Sequence, residues 1–195
     1  MTENTPDFLT DEEKVFLLKL ARETITLYLT EGQLPAVSPG HPSLTKKQGA
    51  FVTLKVNGQL RGCIGYPLPY KPLYQTIQEM AIAAATEDYR FPSLSPDELD
   101  KLSIEISVLT RPKKIDQPEE VVVGRHGIIV SQGYNQGLLL PQVPVEYGWD
   151  LETYLSHGCL KAGLPPDEWR RGNISLEVFE AQVFSEDEYN LRKAN

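Results

Sequence analysis

The apolar positions of the chain follow a helical spacing in three segments. The first begins at the capping box Thr10-Asp11-Glu12-Glu13, in which Thr10 and Glu13 can bond each other's backbone N–H groups, and ends at Gly32. The second covers residues 73–87 and is rich in alanine, which suits close packing. The third covers residues 150–161, with an aspartate at the capping position. The pattern therefore predicts three main helices.

Two β-rich segments, residues 50–56 and 59–65, flank Asn57-Gly58. An Asn-Gly pair between strand-like runs is typical of a two-residue hairpin turn, because both positions need a positive φ. The register that such a turn predicts pairs Val56 with Gln59, Leu54 with Arg61, and Val52 with Cys63. This register places the side chains of Arg61 and Cys63 on one face of the hairpin.

Further strands are predicted by alternation in residues 102–110 and by short apolar runs between glycines in residues 121–140. Residues 174–184 are predicted to form the last strand. Strands interrupted by isolated helices favour an α+β fold with a mostly antiparallel sheet. We treat residues 1–195 as a single domain, in which residues of about 112–145 are a candidate small subdomain.

Composition and charge exclude several classes of protein. Of the 195 residues, 41% are hydrophobic and 24% charged, which is ordinary for a globular protein. The net charge of -8 disfavours nucleic-acid binding, which draws on Lys and Arg. No run approaches the roughly 18 apolar residues of a membrane span, and the acidic start lacks the features of a secretory signal. We expect a cytoplasmic protein that contacts neither membrane nor nucleic acid.

The segment Leu60-Arg61-Gly62-Cys63-Ile64-Gly65 resembles the six-residue signature of the AMMECR family, which supplies protein A of the so-called AmmeMemoRadiSam system. Five further segments resemble the family in the same order, so that the resemblance covers roughly residues 8 to 184. These segments are 81–85 with 88–91, 104–109, 124–128, 140–143 and 159–164.

The resemblance implies a mixed α+β fold with a larger and a smaller lobe. It implies no settled biochemical activity for the chain. In some prokaryotes, members of the family are associated with a Memo-like protein and a radical SAM protein, which hints at a shared modification pathway. Both proteins are therefore expected partners, on the strength of an association and not of a mechanism.

Cys63, inside the signature, has two interpretations. It can be a thiol nucleophile or redox centre, with Arg61 stabilising its thiolate and Gly62 and Gly65 allowing a substrate or partner to approach the backbone. It can equally be a small buried hydrophobe, because free cysteine is among the most buried residue types. The other cysteine, Cys159, has no C-x-x-C partner, so both thiols are expected to be reduced.

Two charged residues, Arg61 inside the motif and Asp88 outside it, are candidate ligand-binding residues. Arg61 either binds an anionic ligand through its planar guanidinium or forms an ion pair with Asp88 or a nearby glutamate. Asp88 either lines the same cleft or locks a turn, and we assign Arg90 the structural role.

A thiol nucleophile usually needs a base, and His126, in a glycine-flanked turn, is the best candidate to serve Cys63. His41 lies in a proline-rich loop and is expected at the surface. His157 and Cys159 are two residues apart and so do not share a helical face. We expect no bound metal and no cofactor.

The leading hypothesis is an AMMECR-type accessory protein with a cleft around Arg61, Cys63, Asp88 and His126. That cleft would bind a small anionic ligand or a peptide-like segment of a partner. The second hypothesis is an enzyme in which Cys63 is the nucleophile and His126 its base, and the third is an RNA-binding module. The sequence does not decide whether the protein is an enzyme.

Overall fold

A computed structural model describes residues 8–191 and divides the chain into two compact units. The first unit contains the chain up to Leu109 and again from Gln182, and the second is Thr110–Ala181. The candidate subdomain, about 112–145, lies within the second unit. The mixed α+β class with antiparallel sheets is confirmed.

The helices are α1 (Asp11–Glu31), α2 (Leu73–Thr86), α3 (Gln142–Tyr147) and α4 (Leu151–Lys161). The strands are β1 (Ala50–Val56), β2 (Gln59–Tyr66), β3 (Leu102–Leu109), β4 (Lys113–Ile115), β5 (Gly127–Gln132), β6 (Asn135–Leu139), β7 (Ser175–Phe179) and β8 (Ala181–Ser185). Short 3-10 helices cover Pro42–Thr45, Pro96–Lys101, Pro118–Glu120 and Glu168–Arg171. Among the helices of residues 8–191, none has the length and apolar character needed to cross a membrane.

The three predicted helices form α1, α2 and α4. The capping box of α1 is present in both directions between Thr10 and Glu13, and Gly32 ends the helix with φ 66°. Asp150 caps α4 by accepting a hydrogen bond from the backbone N–H of Thr153 at 2.9 Å. The short helix α3 is not predicted by the sequence pattern, because prolines interrupt it.

The first sheet has the strand order β2-β1-β3-β8, so that β2 is an edge strand. Helices α1 and α2 pack on each other and on one face of this sheet, where the core of the first unit lies. The core residues alternate along the strands, as expected for a sheet with one face covered. They include Val52 and Leu54 of β1, Ile104 and Ile106 of β3, and Phe184 of β8.

The hairpin is confirmed, with Asn57 at φ 52° and Gly58 at φ 79°, but its predicted register is wrong beyond the first pair. A β-bulge interrupts the pairing: Lys55 pairs with Leu60, but the residue before it, Leu54, pairs with Gly62. The bulge leaves Arg61 without a partner on β1. The observed partners are Leu54 with Gly62, Thr53 with Cys63, and Val52 with Ile64.

The second sheet has the order β4-β7-β5-β6, and α4 packs against β5 and β6. A Cβ at Gly158 of α4 would lie 2.8 Å from Ile128 Cδ1, so the helix approaches this sheet closely. The single last strand predicted over residues 174–184 is wrong. It divides at Glu180 into β7 and β8, which belong to different sheets. The Glu180 carbonyl accepts from the Thr110 backbone N–H at 2.8 Å, and the Glu180 N–H donates to the Thr110 hydroxyl oxygen at 2.8 Å.

Candidate functional site

The backbone of Cys63 lies at the outer edge of the first sheet and is bonded there by two side chains of the turn that follows α2. The Cys63 N–H donates to Asp88 Oδ2 at 2.9 Å, and Arg90 Nη2 donates to the Cys63 carbonyl at 3.4 Å. Arg90 also pairs with Asp88 at 2.7 Å, and the Asp88 side chain is 1% exposed. The Arg90 guanidinium, with help from the Cys63 N–H, holds the pKa of Asp88 well below its usual range.

Arg61 is held by a second ion pair. Its Nε and Nη2 atoms donate to the two carboxylate oxygens of Glu98 at 2.8 and 3.0 Å. Its Nη1 and Nη2 atoms also donate to the carbonyls of Pro92 and Ser93 at 2.6 and 3.2 Å. Arg61 lowers the pKa of Glu98 to about 2. Of the partners expected for Arg61, a glutamate is present, whereas Asp88 pairs with Arg90.

Close packing explains why both glycines of the motif lack a side chain. A Cβ at Gly62 would lie 2.0 Å from the carbonyl oxygen of Ala84, so α2 can lie against β2 only where no side chain intervenes. A Cβ at Gly65 would lie 2.3 Å from the Phe51 ring. The space beside each glycine is thus filled by the protein itself.

The Cys63 side chain belongs to a polar row on the face of the sheet opposite the core. Thr53 pairs with both Cys63 and Glu105, one on each side, so the three side chains share that face. The Thr53 hydroxyl donates to Cys63 Sγ at 3.2 Å. Lys55 Nζ, on the same face, bonds Glu105 Oε2 at 2.9 Å. We call Cys63, Thr53, Glu105 and Lys55 the polar row, and all four residues are half-buried.

Sequence reasoning missed three members of the row: Thr53, Lys55 and Glu105. The available signal was the alternation of β1 and β3, which turns these residues away from the apolar positions. The bulge concealed their relation to Cys63, because the assumed register put Val52 opposite the cysteine.

His126 lies in the second unit, whereas Cys63 lies in the first. Its Nδ1 accepts a hydrogen bond from the backbone N–H of Val122 at 3.1 Å. Burial lowers the pKa of His126. A ring nitrogen that accepts an N–H bond has its lone pair in use, so the neutral ring carries its proton on Nε2. The pairing of Cys63 with His126 stays a prediction.

Candidate metal ligands do not gather in the described part of the chain. Within residues 8–191, no group of three or more His, Cys, Asp or Glu side chains is placed to hold a metal ion. Cys159 is fully buried in the core of the second unit, where burial raises the pKa of its thiol. Its environment therefore differs from that of Cys63, which is half-buried.

Comparisons with known proteins agree on a relationship along almost the whole chain. The AMMECR1 family pattern matches residues 18–184. Protein MK0488 of Methanopyrus kandleri is 53% identical, with 92% of this chain and 91% of that protein covered. Protein Mbar_A1807 of Methanosarcina barkeri is 48% identical, with 92% and 93% covered.

A solved structure agrees with the fold. The crystal structure of the uncharacterized protein PH0010 from Pyrococcus horikoshii superposes with a TM-score of 0.78 at 43% identity, covering 91% of this chain and 93% of that one. The family pattern, the archaeal relatives and this structure agree, and the chain therefore belongs to the AMMECR1 family.

Proposed function

We propose that the protein is an accessory binding protein that recognises a peptide-like segment of a partner at the polar row. The observation that supports this most strongly is that half-exposed polar side chains lie on a strand segment that two ion pairs hold in place. The row keeps a thiol, a hydroxyl, a carboxylate and an ammonium half-exposed on a sheet face. The β2 segment that carries the thiol is fixed by the Asp88–Arg90 and Arg61–Glu98 ion pairs. A rigid frame behind exposed donors and acceptors lowers the entropy cost of binding.

A peptide-like segment has more support than a small anion. The four hydrogen bonds that Arg61 makes to Glu98 and to two carbonyls engage the guanidinium proposed for the anion. Lys55, the cation of the row, is paired with Glu105. The row thus offers donors and acceptors of both signs, which suits the alternating N–H and C=O groups of a peptide.

The resemblance supplies the partners to test, a Memo-like protein and a radical SAM protein from the same organism. We expect at least one of them to bind the wild-type protein in isothermal titration calorimetry. Exchanging Lys55 and Glu105 together for alanine should weaken that binding about tenfold, because interface side chains at a desolvated centre have effects of this size. Lys19→Ala, at an exposed position of α1, is the matched control and should leave the affinity unchanged. If neither partner binds, or if both variants bind like wild type, the proposal is wrong.

A second candidate function, a cysteine-dependent enzyme, is favoured by the hydrogen bond from Thr53 to the half-exposed sulfur of Cys63. Under this reading Cys63 is the nucleophile and His126 its base. Cys63→Ser separates the two proposals, because it should preserve partner binding in an accessory protein and abolish turnover in an enzyme. A Cys63 that reacts with iodoacetamide no faster than Cys159 would remove the nucleophile.

A further inference from the structure

Three aromatic rings stack at the joint between α3 and α4 in the second unit. The ring centroids of Tyr147 and Trp149 are 5.1 Å apart with an interplanar angle of 20°. Trp149 and the imidazole of His157 stack more closely, at 3.9 Å and 8°. The three stacked rings therefore link the end of α3 to the second turn of α4. We call these three residues the ring stack.

The backbone between the two helices holds the stack in place. Gly148 ends α3 with φ 64°, a conformation that favours glycine. The backbone N–H of Trp149 then donates to the Pro144 carbonyl at 2.8 Å, and Asp150 caps α4. Trp149 also packs against the core of the second unit. The stack is thus ordered before any ligand arrives, which favours binding.

The outer end of the stack is open. Tyr147 is 69% exposed. Because Trp149 covers one face of the Tyr147 ring, the exposed surface includes the opposite face. A rigid, uncovered aromatic face is a surface on which a planar group can stack.

Charge selects the kind of planar group. Residues 142–156 contain three acidic residues, Glu146, Asp150 and Glu152, and neither Lys nor Arg. Glu152 is paired with Arg170 at 2.5 Å, whereas Glu146, directly before Tyr147, is exposed. An aromatic face in an acidic segment attracts cations and repels phosphates. The guanidinium of arginine is both planar and cationic, and it stacks on tyrosine.

We propose that the ring stack is a docking site for an arginine side chain on a segment of a partner protein. Its guanidinium lies on the free face of Tyr147, and Glu146 supplies the opposite charge. The site belongs to the second unit and does not depend on the polar row of the first, so either proposal can fail without the other.

The experiment titrates the full chain with a short peptide of three arginines, and with the lysine and glutamate peptides of the same length. Chemical shifts of the Trp149 indole and His157 imidazole report binding. The arginine peptide should shift both rings and bind more tightly than the lysine peptide. Tyr147→Ala should weaken the arginine peptide about two- to fivefold, the range of a single cation–π contact at an exposed site. Tyr147→Phe should retain the affinity.

Two further variants test the assignment. Tyr134→Ala removes another fully exposed tyrosine of the same unit and should change nothing. Glu146→Lys should weaken the arginine peptide more at low salt than at high salt, and it provides the answer if Tyr147→Ala fails to fold. Equal binding of the glutamate peptide, or equal loss in Tyr134→Ala, overturns the proposal. So does a dimer in sedimentation that Tyr147→Ala dissociates, because a second copy would then occupy the stack.

Discussion

The first sheet uses the same device at two places, with different exposure. At Cys63 on edge strand β2, the backbone N–H donates to Asp88 and the carbonyl accepts from Arg90. At Ile104 on β3, the N–H donates to the carboxylate of Glu186, just after β8, and the carbonyl accepts from the Glu186 N–H. In both places a carboxylate that is paired with an arginine accepts the hydrogen bond of a strand N–H.

The two places differ in what surrounds the pair. The two carboxylates are equally buried, with Glu186 2% and Asp88 1% exposed, so the difference lies in the arginines. Arg22 is 27% exposed and also donates to the carbonyls of Leu99 and Leu102. Arg90, by contrast, is 44% exposed. The Glu186 pair ties α1, β3 and the chain after β8 together, whereas the Asp88 pair fixes one strand segment and leaves the Cys63 side chain half-exposed. The Glu186 pair therefore serves the stability of the whole unit, and the Asp88 pair the position of a local site.

The largest expected effect comes from breaking the more buried pair. Glu186→Ala leaves the Arg22 guanidinium without its carboxylate and the Ile104 N–H without an acceptor. We expect the free energy of unfolding to fall by about 3–5 kcal/mol, as for other broken buried pairs. Urea unfolding followed by circular dichroism measures it.

Asp88→Ala is the matched comparison for this first prediction. Arg90 can return to water because it is already half-exposed, so the loss should be smaller, about 1–3 kcal/mol. Equal losses in the two variants would show that both pairs stabilise the unit to the same extent, so that neither is specific to a local site.

The next effect in size tests how the frame behind Cys63 is built. Gly62→Ala places a methyl group 2.0 Å from the backbone carbonyl of Ala84, which no side-chain rotation can relieve. We expect a loss of about 1–3 kcal/mol, typical of overpacking. Gly58→Ala is not a suitable control, because its φ of 79° adds strain. Gly40→Ala, with open space around it, should be nearly neutral. A Gly62→Ala protein as stable as wild type would contradict the close packing of α2 on β2.

Much of the fold could be predicted from the sequence, because these parts of it depend on local signals. The capping box of α1, the Asn57-Gly58 turn and the cap at Asp150 each involve residues at most three positions apart, and all three are confirmed. The last strand was predicted wrongly for the opposite reason. Nothing local at Glu180 indicates that the chain leaves one sheet for another, since both halves have the same β-like alternation.

The site was harder to predict than the fold. One inserted residue in β2, Arg61, changes the partner of Cys63 from Val52 to Thr53. Because side chains alternate across a strand, this shift replaces an apolar neighbour by a hydroxyl. Which carboxylate meets Arg61 is equally non-local, since Glu98 lies 37 residues away. Such contacts follow from tertiary packing and leave no spacing in the sequence.

The smallest expected effect is the loss of stability at low pH, and it tests whether the ion pair between Arg61 and Glu98 stabilises the protein. Arg61 lowers the pKa of Glu98 from 4.5 to about 2. A carboxyl group whose pKa is lowered on folding binds protons more readily when unfolded, so its contribution to stability is complete above the unfolded pKa. That contribution is lost as the pH falls from about 4.5 towards 2.

The measurement is the urea midpoint of wild type and of Glu98→Gln across this pH range. At pH 7 the variant should be less stable by about 1 kcal/mol, the upper range for an ion pair that is partly exposed. The difference should shrink as the pH falls below 4.5, because protonated Glu98 and glutamine then carry the same charge. The control is Glu152→Gln, whose pair with Arg170 is exposed on both sides and should contribute little at any pH. If the difference in stability between wild type and Glu98→Gln stays constant down to pH 2, the charge of Glu98 does not stabilise the fold. The ion pair between Arg61 and Glu98 would then hold the β2 segment by packing and not by electrostatic attraction.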